Sequence, residues 1–208
     1  MFRFIGCGVV TTLQLLAGGL FGGLALGVLL AILRRNSFGK LFVVPYASVI
    51  RGTPLLLQVS IIYFTLPSVL KIRLGVITAG IIALGLNSAA YVAEILRSGI
   101  ENLSRGQFEA AKTLGISPFY TWKDIILPQV LKNIFPAITG EVIALLKETA
   151  LISVIGGVDI MRRAQMVAAE SFIYFTPLCM AGACYYLLVL SIEVLARKLE
   201  KKMRYDYY

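Results

Sequence analysis

The chain has 208 residues, 58% of them hydrophobic and only 15% charged, with a mean hydropathy of +0.83. Soluble domains carry about 25% charged residues, so the composition argues against a water-soluble globule, and also against disorder, which needs low hydrophobicity. A formal charge of +9 keeps nucleic acid open as a partner until the cations are located, while the lack of histidine removes the usual zinc ligand and general base.

No charge interrupts residues Phe4 to Leu33, a run longer than the roughly 20 residues that cross hydrocarbon as a helix. Arg34-Arg35 closes it like a stop-transfer end, and a lone Arg3 is a weak start for a secretory signal. Residues 11–33 are therefore read as a retained span. Its glycines fall into two series at four-residue spacing, Gly18/Gly22 and Gly19/Gly23/Gly27. Such a pattern either lets a neighbouring helix approach closely or reflects the ordinary tolerance of membrane helices for glycine.

A second apolar stretch, 42–67, is interrupted by Arg51-Gly52-Thr53-Pro54, and a third covers 75–96. The fourth, 133–156, contains Glu141, Lys147 and Glu148; the fifth, 171–194, is uncharged from Ser171 to Ile192. The alternating ten-residue segments of an outer-membrane barrel are missing. The expectation is one all-α membrane domain over residues 1–208 with five spans. Cys7, Cys179 and Cys184 form no CxxC pair, and the last two read as small buried hydrophobes within an apolar run.

Five spans put the ends on opposite sides. With the N-terminus outside, the cytoplasmic segments hold Arg34, Arg35, Lys40, then Arg97, Arg105, Lys112, Lys123, Lys132, then Arg197, Lys198, Lys201, Lys202 and Arg204. The outside holds Arg3, Lys71, Arg73, Arg162 and Arg163. This positive-inside bias explains the net charge by topology and dismisses nucleic acid.

Between the third and fourth spans, Arg97–Lys132 is too polar to cross a bilayer and too patterned to be a linker. Ser104 and Gln107 fit the cap and third position of a helix, and Gly115 suits the left-handed residue beyond its end. Ser117-Pro118 opens a second short helix, and Pro128 is expected to start or kink the next one. Phe119, Tyr120, Trp122 and Ile125 supply an apolar surface. Pattern alone leaves two readings: a hairpin lying on headgroups, or a knob that docks into a cytoplasmic partner.

The residues themselves favour the knob. Glu109-Ala110-Ala111, Gly115 and Ile126-Leu127-Pro128 resemble the EAA loop of ABC-type importer permeases. Arg51-Gly52-Thr53-Pro54-Leu55-Leu56, Leu86-Asn87-Ser88-Ala89-Ala90-Tyr91, Leu146-Lys147-Glu148-Thr149 and Ser153-Val154-Ile155-Gly156 are similar to the polar amino-acid branch, the histidine, glutamine, arginine and opine group. The resemblance implies a type I importer permease fold in the bacterial inner membrane. It also implies a coupling loop at about 104–128, with Glu109, Ala110, Ala111, Gly115, Ser117 and Pro118 meeting an ATPase. Implied partners are two ATPase subunits that use ATP-Mg, a second permease copy or related subunit, an external solute-binding protein and membrane lipid. No cofactor, metal or nucleic acid is expected on this chain, which is read as a transport subunit and not an enzyme.

Charges inside spans cost about 2.5–3.5 kcal/mol on insertion scales and face protein or a wet cavity. Glu94 has a structural explanation, an ion pair with Arg97, which also reaches Glu101. Arg51 stands beside a broken helix, and broken helices expose ends that bind charged substrate groups; the alternative is a pair with Glu148 or Glu141 for packing. Thr53 and Gln58 are read as pathway residues. Glu141 and Glu148, seven apart, share a helix face, lining either a polar cavity or a paired network. Asn87, Ser88 and Tyr91 add hydrogen-bonding groups, and Thr149 joins Glu148 in the expected pathway. GxxxxGK[ST] does not occur, so the chain cannot cradle ATP itself. The rival reading is a stand-alone, proton-coupled secondary transporter or channel relaying through Glu94, Glu141 and Glu148.

Overall fold

The computed structural model describes residues 1–205. Residues 206–208 of the expected domain, and the side chain of Arg204 counted in the tail, lie outside the described residues. Every regular element among the described residues is helical. In chain order these are α1 (Phe2–Gly6), α2 (Gly8–Leu33), α3 (Ser37–Gly52), α4 (Leu55–Ser60), α5 (Leu66–Leu70), α6 (Val76–Glu101), α7 (Arg105–Thr113), α8 (Pro118–Tyr120), α9 (Leu127–Glu148), α10 (Ile160–Ser171) and α11 (Phe175–Tyr205). Short π segments join α4 to α5 and α8 to α9, and a 3₁₀ turn, Thr149–Ile155, follows α9.

Helix α6 is the centre of the fold, packed against α2, α3, α4 and α9. Its seam with α2 is set by glycine. A Cβ on Gly19 would sit 2.8 Å from the Leu84 Cβ, one on Gly23 2.6 Å from the Ser88 Cβ, and one on Gly27 2.7 Å from the Val92 Cβ. The residue numbers rise together along both helices, so α2 and α6 run parallel. Close approach, and not mere tolerance, explains this glycine series. In lipid it replaces the missing hydrophobic drive with van der Waals contact between backbones. Above and beside the seam, Leu15, Leu84, Leu145, Leu146 and Ile152 are fully buried together.

The second expected span is not one straight helix. Proline bars its predecessor from the helical region, and Thr53 is extended at φ −117°, ψ 145°. The chain turns by 104° between Ser37–Gly52 and Leu55–Leu70. Pro128, as expected, stands in the first turn of a helix, α9, without bending the chain sharply. It lacks the N–H that would reach the Asp124 carbonyl, and the ladder widens into the π segment Thr121–Ile126. Helical structure therefore runs from Pro118 to Glu148.

Among the described residues three helical stretches are long and apolar enough to cross a membrane: Phe2–Leu33, Val76–Glu101 and Phe175–Met203. The bent pair makes a fourth candidate, and α9 with its 3₁₀ turn occupies the place of the remaining expected span. At the far end of α2, Asp159 caps α10 by accepting from the Arg162 N–H at 2.8 Å, and Tyr185 donates to its other oxygen at 2.8 Å. Cys184 is buried as expected, whereas Cys179 is exposed.

Candidate functional site

The polar faces of α6 and α9 meet in the middle of the bundle. Glu141 is buried and Glu148 half-buried, two turns apart on α9. Asn87, 4% exposed, donates its side-chain amide to Glu148 across 3.4 Å. The fully buried Ser88 hydroxyl neighbours the Glu141 carboxyl. Neither carboxylate is in a salt bridge among the described residues. Lys147 points outward, exposed on the adjacent face of α9. The site is thus two acids, one accepting from an amide and the other beside a hydroxyl, with no ion-paired cation among the described residues; Lys147 acts on Glu148 only through its charge from the adjacent face.

Other expected pathway residues lie elsewhere. Gln58 is buried behind the Thr53–Pro54 bend, where its amide nitrogen donates to the Ile50 carbonyl at 2.7 Å, the Thr53 carbonyl at 3.2 Å and the Thr53 hydroxyl at 3.0 Å. The Thr53 hydroxyl in turn donates to the Val49 carbonyl at 2.8 Å. These two side chains replace hydrogen bonds that proline removes. Thr149 is fully buried and spends its hydroxyl on the Leu146 carbonyl at 2.7 Å. Tyr91 turns its ring to Arg51, whose guanidinium lies 5.4 Å from the ring centroid.

Arg51 does not reach Glu141 or Glu148. It lies 3.7 Å from Glu94, which also accepts from Arg34 at 2.8 Å and pairs with Arg97. Arg97 pairs in addition with Glu101. The local Glu94–Arg97–Glu101 pairing is legible in sequence; the convergence of Arg34 and Arg51 is not, because both arrive through tertiary packing. Glu94 therefore ties the end of α2, the end of α3 and α6 into one cluster.

The loop after α6 is built as its punctuation dictates. Ser104 caps α7, its hydroxyl accepting from the Gly106 N–H at 3.3 Å. At the other end Gly115 adopts φ +70°. Ile116 N–H bonds the Ala111 carbonyl at 3.0 Å and Gly115 N–H the Lys112 carbonyl at 3.1 Å, the paired bonds of a Schellman cap. Phe108 meets Trp122 edge-on at 5.8 Å, and Ile126, Val130 and Ile134 anchor the hairpin to α6. Glu109, Ala110, Gly115, Ser117 and Pro118 are exposed; Ala111 is buried and packs inward. Leu114, Phe119 and Tyr120 project as an apolar tip, the first 76% exposed.

Residues 23–205 match the family described as binding-protein-dependent transport system inner membrane component. The chain belongs to that family. It is a membrane transport subunit, a permease, of the ABC importer kind. A Rickettsia typhi protein named as a glutamine transport system permease, GlnP, is 48% identical over 202 residues, covering 96% of this chain and 93% of the relative. The arginine transport system permease protein ArtQ of Bacillus subtilis is 43% identical over 203 residues, with 97% and 93% covered. Among solved structures, an amino acid ABC transporter with histidines superposes with a TM-score of 0.89 at 37% identity, covering 96% of this permease and 94% of that chain. A chain of the MetNI methionine ABC transporter, 22% identical with a TM-score of 0.76 over 97% of this permease and 96% of that chain, shares the fold. The all-α importer permease fold expected from the motifs is therefore the fold observed.

Proposed function

We propose that this permease forms, with a second permease subunit, the inward pathway for a polar amino acid, and that glutamine or arginine, named for its relatives, represents the substrate class. The observation that carries the reading is the pair of carboxylates at Glu141 and Glu148, with Asn87 donating to Glu148, the Ser88 hydroxyl buried and unbonded beside Glu141, and neither acid in a salt bridge among the described residues. A charge held inside the membrane needs a counter-charge or water; an α-ammonium group of the passing substrate supplies the former. Thr53, Gln58, Tyr91 and Thr149 act one step back, holding the bend and the helix end that shape the cavity.

In this account the N-terminus faces outside, the α7–α8 loop and the tail face the cytoplasm, and an external binding protein delivers substrate. Two separate ATPase subunits hold ATP-Mg and seat the exposed Glu109, Ala110, Gly115, Ser117 and Pro118 surface. Closure of the ATPase pair moves the loops together, and its differential affinity for the two permease states biases the transition.

The test is uptake of labelled glutamine and arginine into proteoliposomes holding permease, ATPase and binding protein. The reading requires uptake that depends on ATP and on the binding protein. Uptake by the permease alone, driven by a proton gradient, contradicts it and favours the secondary-transporter reading.

A further inference from the structure

Outside the α6–α9 site, four cations gather around a cleft of about 300 Å³ where α2 ends beside α6 and the π segment. Arg34, Arg35, Lys40 and Arg97 line it, opposed by Glu101, with Trp122 as the floor. Arg34 and Arg97 are engaged by Glu94. Arg35 instead lies over Trp122, its guanidinium carbon 4.6 Å from the ring centroid, and Lys40 makes no ion pair or ring contact among the described residues. Two cations thus face the cleft with no ion pair among the described residues, the Glu101 carboxylate in the same lining being taken by Arg97.

A second feature adjoins it. An almost wholly apolar groove of about 370 Å³ runs between the end of α2 and the start of α3, lined by Leu30, Leu33, Phe38, Phe42 and Tyr46 among others. Cleft and groove are neighbours along the chain twice over: Leu33 precedes Arg34, and Gly39 precedes Lys40. One occupant that fills both needs an anionic head and a hydrocarbon tail.

We infer that Arg35 and Lys40, with Arg34 and Arg97 behind them, bind the phosphate of an anionic phospholipid of the cytoplasmic leaflet, whose acyl chain lies in the Leu30–Phe42 groove. Basic pockets between membrane helices on the cytoplasmic side hold such headgroups. A free phosphate leaves the groove empty, and an acidic protein surface fits the cleft but not the apolar channel. The stacking of Arg35 on Trp122 places the lipid in contact with the segment that follows the α7–α8 loop, so the headgroup bears on the coupling surface.

Trp122 is the one tryptophan of the chain and reports on its own floor. The full-length permease is reconstituted with phosphatidylglycerol carrying bromine near the carbonyl end of its acyl chain, the remainder being plain phosphatidylcholine. A second sample exchanges the bromine onto the phosphatidylcholine at equal mole fraction. Excess quenching by the brominated phosphatidylglycerol is expected. Lys40→Gln lowers the relative affinity for the anionic lipid about fivefold, the value of one near-surface cation. Arg35→Gln does the same and also frees the ring; Lys40→Gln, which disturbs no contact, keeps the test valid if that variant folds poorly. Equal quenching by the two lipids, or an excess that survives Lys40→Gln unchanged, overturns the assignment. Recovery of fluorescence on adding inorganic phosphate overturns the lipid in favour of a free anion. Loss of ATPase co-purification from Lys40→Gln, with quenching unaltered, assigns the cleft to the protein partner. None of these readings depends on transport, so the proposed function stands or falls separately.

Discussion

Gly23 and Ser88 touch backbone to side chain: a methyl group on Gly23 would lie 2.6 Å from the Ser88 Cβ and 2.7 Å from its hydroxyl oxygen. One turn of the same helix offers its own control, since a Cβ on Gly22 meets nothing nearer than the Gly85 Cα at 4.0 Å. Gly23→Ala is expected to destabilise the purified permease by about 1–3 kcal/mol, the cost of forcing extra volume into a packed contact. Gly22→Ala is expected to be neutral. Thermal unfolding of both variants in one detergent measures the difference, and equal midpoints would mean that α2 and α6 are not held by this seam.

The Glu94 cluster makes a second comparison. Glu94→Gln leaves Arg34, Arg51 and Arg97 facing one another in a partly buried site, where an unpaired charge costs several kcal/mol at full burial. The Glu101 side chain is 60% exposed, and exposed pairs contribute about 0–1 kcal/mol. Glu94→Gln should therefore lower folded yield and melting temperature well beyond Glu101→Gln. Similar losses from the two would place the cluster's weight on Arg97 alone.

How much of this was legible beforehand follows the range of the forces involved. Ser104, Gly115 and the Glu94–Arg97 pair act within four residues, and spacing alone locates them. The glycine series fixes that something packs closely on α2, although only the fold names Leu84, Ser88 and Val92 as the partners. The RGTP segment signals a break but not a turn of 104°, because the angle depends on what α4 packs against. Thr53 and Gln58 look like pathway residues in sequence, since polar groups in an apolar run invite that reading. What the sequence does not show is that their hydrogen bonds go to carbonyls that Pro54 and the bend leave unsatisfied. The Arg34 and Arg51 contacts to Glu94 span some 60 and 43 positions, and no local rule reaches so far.

Gly115 tests the loop. At φ +70° a β-branched residue is strained, whereas asparagine tolerates the left-handed region. Gly115→Val is expected to leave membrane assembly intact and to abolish most substrate-stimulated ATP hydrolysis by the assembled transporter, with Gly115→Asn intermediate. Full stimulation in the valine variant would remove the coupling role from this cap.

The central claim, that the Glu148 carboxylate with Asn87 and Glu141 receives the substrate's cationic group, is tested most directly by uptake. Initial rates of ATP-driven glutamine or arginine uptake are measured against concentration in proteoliposomes, for the parent transporter and for Glu148→Gln. Glutamine keeps the side-chain size and the contact to Asn87 while removing the charge. Loss of one charge-assisted hydrogen bond, about 1.5–3 kcal/mol, predicts a tenfold to hundredfold rise in the half-saturating concentration or an equivalent fall in rate, with basal ATP hydrolysis and complex assembly unchanged. Uptake by Glu148→Gln indistinguishable from the parent would contradict the account.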